Sequence, residues 1–222
     1  MNILVTGAQG FVGQNLVEKF LSENYQVQSP TVEELDLTNS ECVDDFFKKN
    51  SINVIIHTAT TLRNGTTYPI DSFEKNLRMF FNLLRQMTPD MKMINLGTGS
   101  EYSRQYWFKK MDEKYFSCHV PNDSHSFSKY IISKYIENNK NLNLVTLRIF
   151  GIFGKYEDFR YKFISNAIAK NLMGMPITIN QNVIYDYIYI DDFYEVLKYF
   201  INNDAKHSSY NATPTNSIDL IS

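Results

Sequence analysis

Hydrophobic and polar positions along this chain follow two alternating rhythms. Short apolar runs at residues 3–5, 25–29, 53–57, 92–96, 143–148 and 183–190 read as strands. Between them lie longer stretches with apolar residues three and four apart, at 11–22, 41–49, 72–87, 127–138, 159–172 and 191–201, which read as helices. Strands separated by helices imply right-handed crossovers and a parallel sheet covered on both faces. The expected fold class is therefore α/β, a doubly wound parallel sheet of Rossmann type. No repeat, low-complexity tract or linker divides the chain, so one domain over residues 1–222 is expected.

Two helices are apolar over an unusually wide arc. Phe73, Leu77, Phe80, Phe81, Leu84 and Met87 in the first, and Phe127, Tyr130, Ile131, Tyr135 and Ile136 in the second, exceed one sheet-facing stripe. Their second burial partner is either another copy, giving a homodimer through helices 72–87 and 127–138, or another part of the same chain.

Composition narrows the function classes. With 43% hydrophobic and 21% charged residues and a net charge of −2, the chain offers no footprint for nucleic acid or an anionic membrane. Cys42 and Cys118 lack metal-ligand spacing, so no metal site is expected, and without an export signal no disulfide either. The N-terminus enters the first strand directly and no apolar run reaches bilayer length, which predicts a cytoplasmic protein.

The first strand runs into Gly7, Gly10 and Gly13, with Phe11 and Val12 opening the helix that follows. Gly7 permits the tight turn, Gly10 removes a Cβ where phosphates must approach, and Gly13 lets the helix sit close on the strand. The helix N-terminus offers unpaired N–H groups to an anion. Between a strand and a helix, this spacing points to a dinucleotide pyrophosphate.

From residue 1 to about 216 the chain resembles the extended short-chain dehydrogenase/reductases of the nucleotide-sugar epimerase/dehydratase group. TGAQGFVG matches that family's glycine motif, and Asp36–Leu37 matches its acidic-apolar pair that meets the adenine. HTAT, with Thr58, Ala59 and Thr60, matches the strand end lining the cofactor, and Asn76 matches an Asn of the central helix. GTGSEYS places the substrate-hydroxyl role on Thr98, LRIFGIFG places a nicotinamide contact on Ile149, and YDYIYIDDF resembles a later strand–helix junction. The resemblance implies an NAD(P) cofactor, a nucleotide-sugar substrate and hydride transfer at a sugar carbon, in surface polysaccharide synthesis. Because Thr98 is followed by Gly99 and Ser100 rather than by Asp and Glu, it implies an epimerase or 4-keto reductase rather than a dehydratase.

In that family a Tyr, one helical turn before a Lys, takes the alcohol proton while the Lys holds the ribose and lowers the Tyr pKa. Here the Lys is Lys129 and the Tyr position falls on His125. Three readings stay open: His125 is the base; the protein binds cofactor and sugar nucleotide but turns over slowly or not at all; or Tyr102 or Tyr106 supplies the hydroxyl. Thr98 has a plainer alternative as a strand-end hydroxyl bonding local backbone.

Ser29–Val32 carry neither an acid nor an Arg for the adenosine ribose, and the compressed layout around ELDLTN resembles NADP-using reductases, so NADP is expected over NAD. Arg148, Arg160 and Lys162 are candidates for a substrate diphosphate, against ordinary solvation. Gly151 stands where many relatives carry an Asn. The family builds most sugar contacts from a segment beyond residue 222, so the substrate domain is expected to be truncated or largely missing.

Overall fold

A computed structural model describes residues 1–63 and 67–221. The chain runs β1 (Asn2–Thr6), α1 (Phe11–Ser22), β2 (Gln26–Gln28), α2 (Ser40–Lys49), β3 (Val54–His57), α3 (Ser72–Leu84), β4 (Lys92–Thr98), α4 (Ser124–Asn138) and β5 (Asn143–Ile149). It continues through β6 (Gly151–Phe153), α5 (Phe163–Leu172), β7 (Ile184–Tyr185), β8 (Tyr187–Tyr189), α6 (Ile190–Asn202), β9 (Ser209–Ala212) and β10 (Ile218–Asp219).

Six parallel strands form the main sheet in the order β2-β1-β3-β4-β5-β9. Strand pleating sorts alternate residues into two core layers. Ile3, Val5, Val54, Ile56, Ile94, Leu96, Val145 and Leu147 pack with Leu16 and Phe20 of α1 and Phe193 and Leu197 of α6. Leu4, Ile55, Met93 and Leu144 face the other way, onto Val43 of α2, Phe80 and Leu83 of α3, and Ile132 and Ile136 of α4. The strand order reverses direction between β1 and β3, which opens a crevice at the carboxyl ends of the strands. The doubly wound Rossmann-type sheet expected from the pattern is the fold observed.

Several elements differ from expectation. The run 183–190 adds no strand to the main sheet; it splits at Asp186 into β7, which pairs with β10, and β8, which pairs with β6. The sixth sheet strand is instead β9, SYNA, an edge strand too polar to announce itself by hydrophobicity. The helix expected at 159–172 starts only at Phe163, because Asp158 draws the Arg160 N–H and guanidinium into a local turn. Helix α4 starts earlier than the 127–138 pattern, at Ser124, where Asp123 caps it by accepting from Ser126 N at 2.9 Å.

The wide apolar arcs of α3 and α4 partly cover each other. Phe73 stacks on Phe127 with ring centroids 5.1 Å apart, and Phe81 meets Tyr135 edge-on at 5.2 Å. Phe81 stays 38% exposed.

One charge pair is sealed in the interior. Glu101 and Arg148 meet at 2.7 Å with both side chains wholly buried. Glu101 accepts from Thr98 N at 2.8 Å with its other oxygen, while Arg148 also donates to Ser209 Oγ and lies over Phe116 at 4.0 Å. Arg148 is therefore no diphosphate ligand, contrary to expectation: its strand position turns it into the core. Breaking such a pair strands a buried charge. Glu101→Gln is expected to lower the unfolding free energy by about 3–5 kcal/mol in urea melts, and adding Arg148→Met to that variant to recover much of the loss. Equal losses in the single and double variants would contradict this.

Candidate active site

The glycine turn sits at the end of β1. Gly7 has φ +65°, and a Cβ there would come within 2.9 Å of Ala59 N and 2.8 Å of its Cα. A Cβ on Gly13 would meet the Gly7 carbonyl oxygen at 2.3 Å, so only glycine lets α1 lie this close to the turn. Thr58 Oγ1 donates to Thr6 O at 2.6 Å and Ala59 N donates to Thr6 Oγ1 at 3.3 Å, which ties the loop after β3 to β1. Gly10 is the N-cap of α1, with no side-chain cap and no acid in the first turn. The first N–H groups of α1 are thus left to an outside acceptor, and the residues fit a dinucleotide diphosphate.

Beside this turn lies a cavity of about 730 Å³, a size suited to a small ligand. Phe11, Val12, Thr58, Thr60 and Ile149 line it, as do Thr98, His125 and Lys129. The three residues expected to carry the chemistry are therefore brought to one cavity by two elements, β4 and α4. Thr98 ends β4; its Oγ1 accepts from Ser100 N at 3.2 Å, so it caps a short 3₁₀ turn and faces the cavity at once. His125 lies in the first turn of α4, and Lys129 lies one turn further, donating to Leu96 O at 2.9 Å. The turn at 99–102 is bound to α4 by Ser126 Oγ, which donates to Ser100 Oγ at 2.8 Å.

Burial governs the electrostatics here. The His125 imidazole is pushed down to about 3, first by burial and then by the Lys129 charge, so it is neutral throughout the physiological range. Burial brings the Lys129 ammonium down to about 8, with Glu101 opposing. His57, beneath the site, is held near 3 by burial and Lys129.

Other expected residues fall elsewhere. Asn76 is 2% exposed and outside the cavity wall: its Oδ1 accepts from Thr61 N at 2.9 Å and its Nδ2 donates to Ser128 Oγ at 2.9 Å. Leu37 belongs to the core layer under β3, and Asp36 accepts from Thr38 N and Oγ1, so neither lines the cavity. Tyr102 donates to Asn211 Oδ1 at 2.8 Å, and burial pushes its phenol up to about 12; Tyr106 stacks on His119 at 3.5 Å. Neither tyrosine lines the cavity, which speaks against the reading in which one of them supplies the reactive hydroxyl. Arg160 pairs with Asp158, and of the three candidate cations only Lys162 lines the cavity.

The pattern of the sequence missed Tyr68, Arg63 and Arg104. Tyr68 stacks on His125 with centroids 4.1 Å apart and planes 1° from parallel, with Arg63 over its ring at 4.8 Å. All three line the cavity, but they sit in irregular segments where no periodicity marks them.

A model of the NAD dependent epimerase/dehydratase family matches residues 3–213, and the chain belongs to that family. Among curated proteins it is similar to GDP-L-colitose synthase of Yersinia pseudotuberculosis, at 24% identity over 93% of this chain and 74% of the relative. It is also similar to GDP-6-deoxy-D-talose 4-dehydrogenase of Aggregatibacter actinomycetemcomitans, at 25% identity over 95% of this chain and 74% of the relative. The fold matches a GDP-D-glycero-L-gluco-heptose synthase of Campylobacter jejuni, solved in the presence of NADPH, with TM-score 0.80 and 17% identity over 97% of this chain and 80% of that one. It matches UDP-glucose 4-epimerase of Thermotoga maritima, solved with UDP-glucose, with TM-score 0.81 and 20% identity over 99% of this chain and 79% of that one.

The glycine geometry carries its own test. Gly13→Ala forces backbone apart and is expected to lower stability by about 1–3 kcal/mol. Gly10→Ala, whose Cβ would meet Gly7 O at 3.3 Å, is expected to shift the melting midpoint far less. Equal shifts in thermal melts would contradict the packing role of Gly13.

Proposed function

We propose that the chain is a nucleotide-sugar 4-keto reductase or epimerase that transfers hydride at a sugar carbon, using NADP in preference to NAD. The observation that carries this reading is the convergence of Thr98, His125 and Lys129 on one cavity beside an uncapped glycine turn. The two curated relatives described above are named for GDP-linked sugars, which favours a GDP-sugar as substrate and a role in surface polysaccharide synthesis. When bound, the nicotinamide gives or accepts the hydride. Thr98 holds the reacting sugar oxygen, Lys129 holds the cofactor ribose, and His125 moves the proton to or from that oxygen. The compressed layout around ELDLTN, similar to that of NADP-using reductases, supports NADP. The apolar edge around Phe81 supports self-association through α3 and α4.

A second reading rests on one observation. An imidazole near 3 is a weak base, and its protonated form is scarce at neutral pH, so a nucleotide-binding protein without turnover is the alternative.

Turnover of a GDP-4-keto sugar, followed by NADPH absorbance, separates the two. The proposal expects reduction that His125→Ala slows by about 10²–10⁴-fold. NADPH binding without redox change, or activity that is absent in the natural chain and appears in His125→Tyr, would overturn it. The low pKa also sets a sign. Because reduction needs protonated His125, kcat/KM for reduction is expected to fall about tenfold per unit between roughly pH 5 and 7, while the reverse oxidation stays flat. Cofactor affinity is expected to weaken as pH rises through about 8, where Lys129 loses its charge, and Lys129→Met to abolish that dependence.

A further inference from the structure

We infer that Asn76 and Thr60 are positioning residues for His125, holding its ring protonated at Nδ1 so that Nε2 is the atom that takes the proton. The Asn76 amide can sit only one way round. Its Oδ1 accepts the Thr61 backbone N–H at 2.9 Å, and its Nδ2 donates to Ser128 Oγ at 2.9 Å. The Ser128 hydroxyl is already committed as donor to the His125 carbonyl at 2.7 Å, so it meets Asn76 as an acceptor. Flipping the amide would set N–H against N–H at Thr61.

A carbonyl oxygen has no hydrogen to give. The Thr60 hydroxyl, 3.3 Å from Asn76 Oδ1, is therefore the donor in that contact. Its lone pairs are left for His125 Nδ1, 3.4 Å away, which must then carry the hydrogen. A neutral imidazole protonated at Nδ1 has its free lone pair on Nε2, and Nε2 has no hydrogen-bond partner among the described residues. The parallel Tyr68 ring fixes the plane in which that lone pair lies. The chain from Thr61 N–H through Asn76 and Thr60 thus does for His125 what an orienting acceptor does for any catalytic imidazole.

This inference rests on the proposed proton transfer, but its test reads the ring directly. Long-range ¹H–¹⁵N spectra of the full chain, with labelled histidine, report which nitrogen carries hydrogen. The resonances of His125 are assigned by their loss in His125→Gln. In the natural chain and in Thr60→Ser, His125 is expected as the Nδ1–H form. In Thr60→Val, or in Thr60→Ala if the former does not fold, the Nε2–H form is expected to predominate, with kcat lowered about tenfold or more and KM nearly unchanged. An Nε2–H ring in the natural chain, or a tautomer indifferent to loss of the Thr60 hydroxyl, would overturn the inference. A tautomer that shifts as expected with no change in turnover would uphold the positioning and instead defeat His125 as the base.

Discussion

The edge of the sheet that carries the site depends on the buried contact between Glu101 and Arg148. One carboxylate oxygen holds the Thr98 N–H and the other holds the Arg148 guanidinium, so the chain leaving β4 must fold back over β5. That turn presents Ser100 to Ser126 on α4, while Lys129 reaches Leu96 O from the same helix. A charge pair without water is stabilising only with both members in register. The position of Thr98 relative to His125 and Lys129 follows from that register.

Much of this architecture is legible in the residues themselves. Glycines at 7, 10 and 13 announce a turn, the backbone at 7 and 13 having no room for a Cβ, and the strand–helix alternation follows from apolar period. His125 and Lys129 are legible as a pair because one helical turn separates them. What stays hidden are partners distant in sequence or set in irregular chain. Arg148 reads as a surface cation until Glu101, 47 residues earlier, is seen against it. Tyr68 carries no periodic signal, and β9 is an edge strand whose polar residues resemble a loop. Asn76 is recognisable as important, yet its hydrogen bonds show a load-carrying link between the loop after β3 and α4 rather than a wall of the cavity.

An imidazole where the family carries a phenol changes the proton chemistry. A phenol rests in its acid form at neutral pH and needs the neighbouring ammonium to release a proton. An imidazole beside the same ammonium rests in its base form, and burial deepens that preference. On the proposed reading the site accepts a proton readily and must acquire one to donate it, an asymmetry set by His125 and Lys129 together.

A crystal structure of the chain soaked with NADPH tests the central claim most directly. The expected result is a diphosphate on the first turn of α1, ribose hydroxyls on Lys129 Nζ and a nicotinamide face open between His125 and Thr98. An empty crevice, or a nicotinamide lying away from His125 and Lys129, would contradict it.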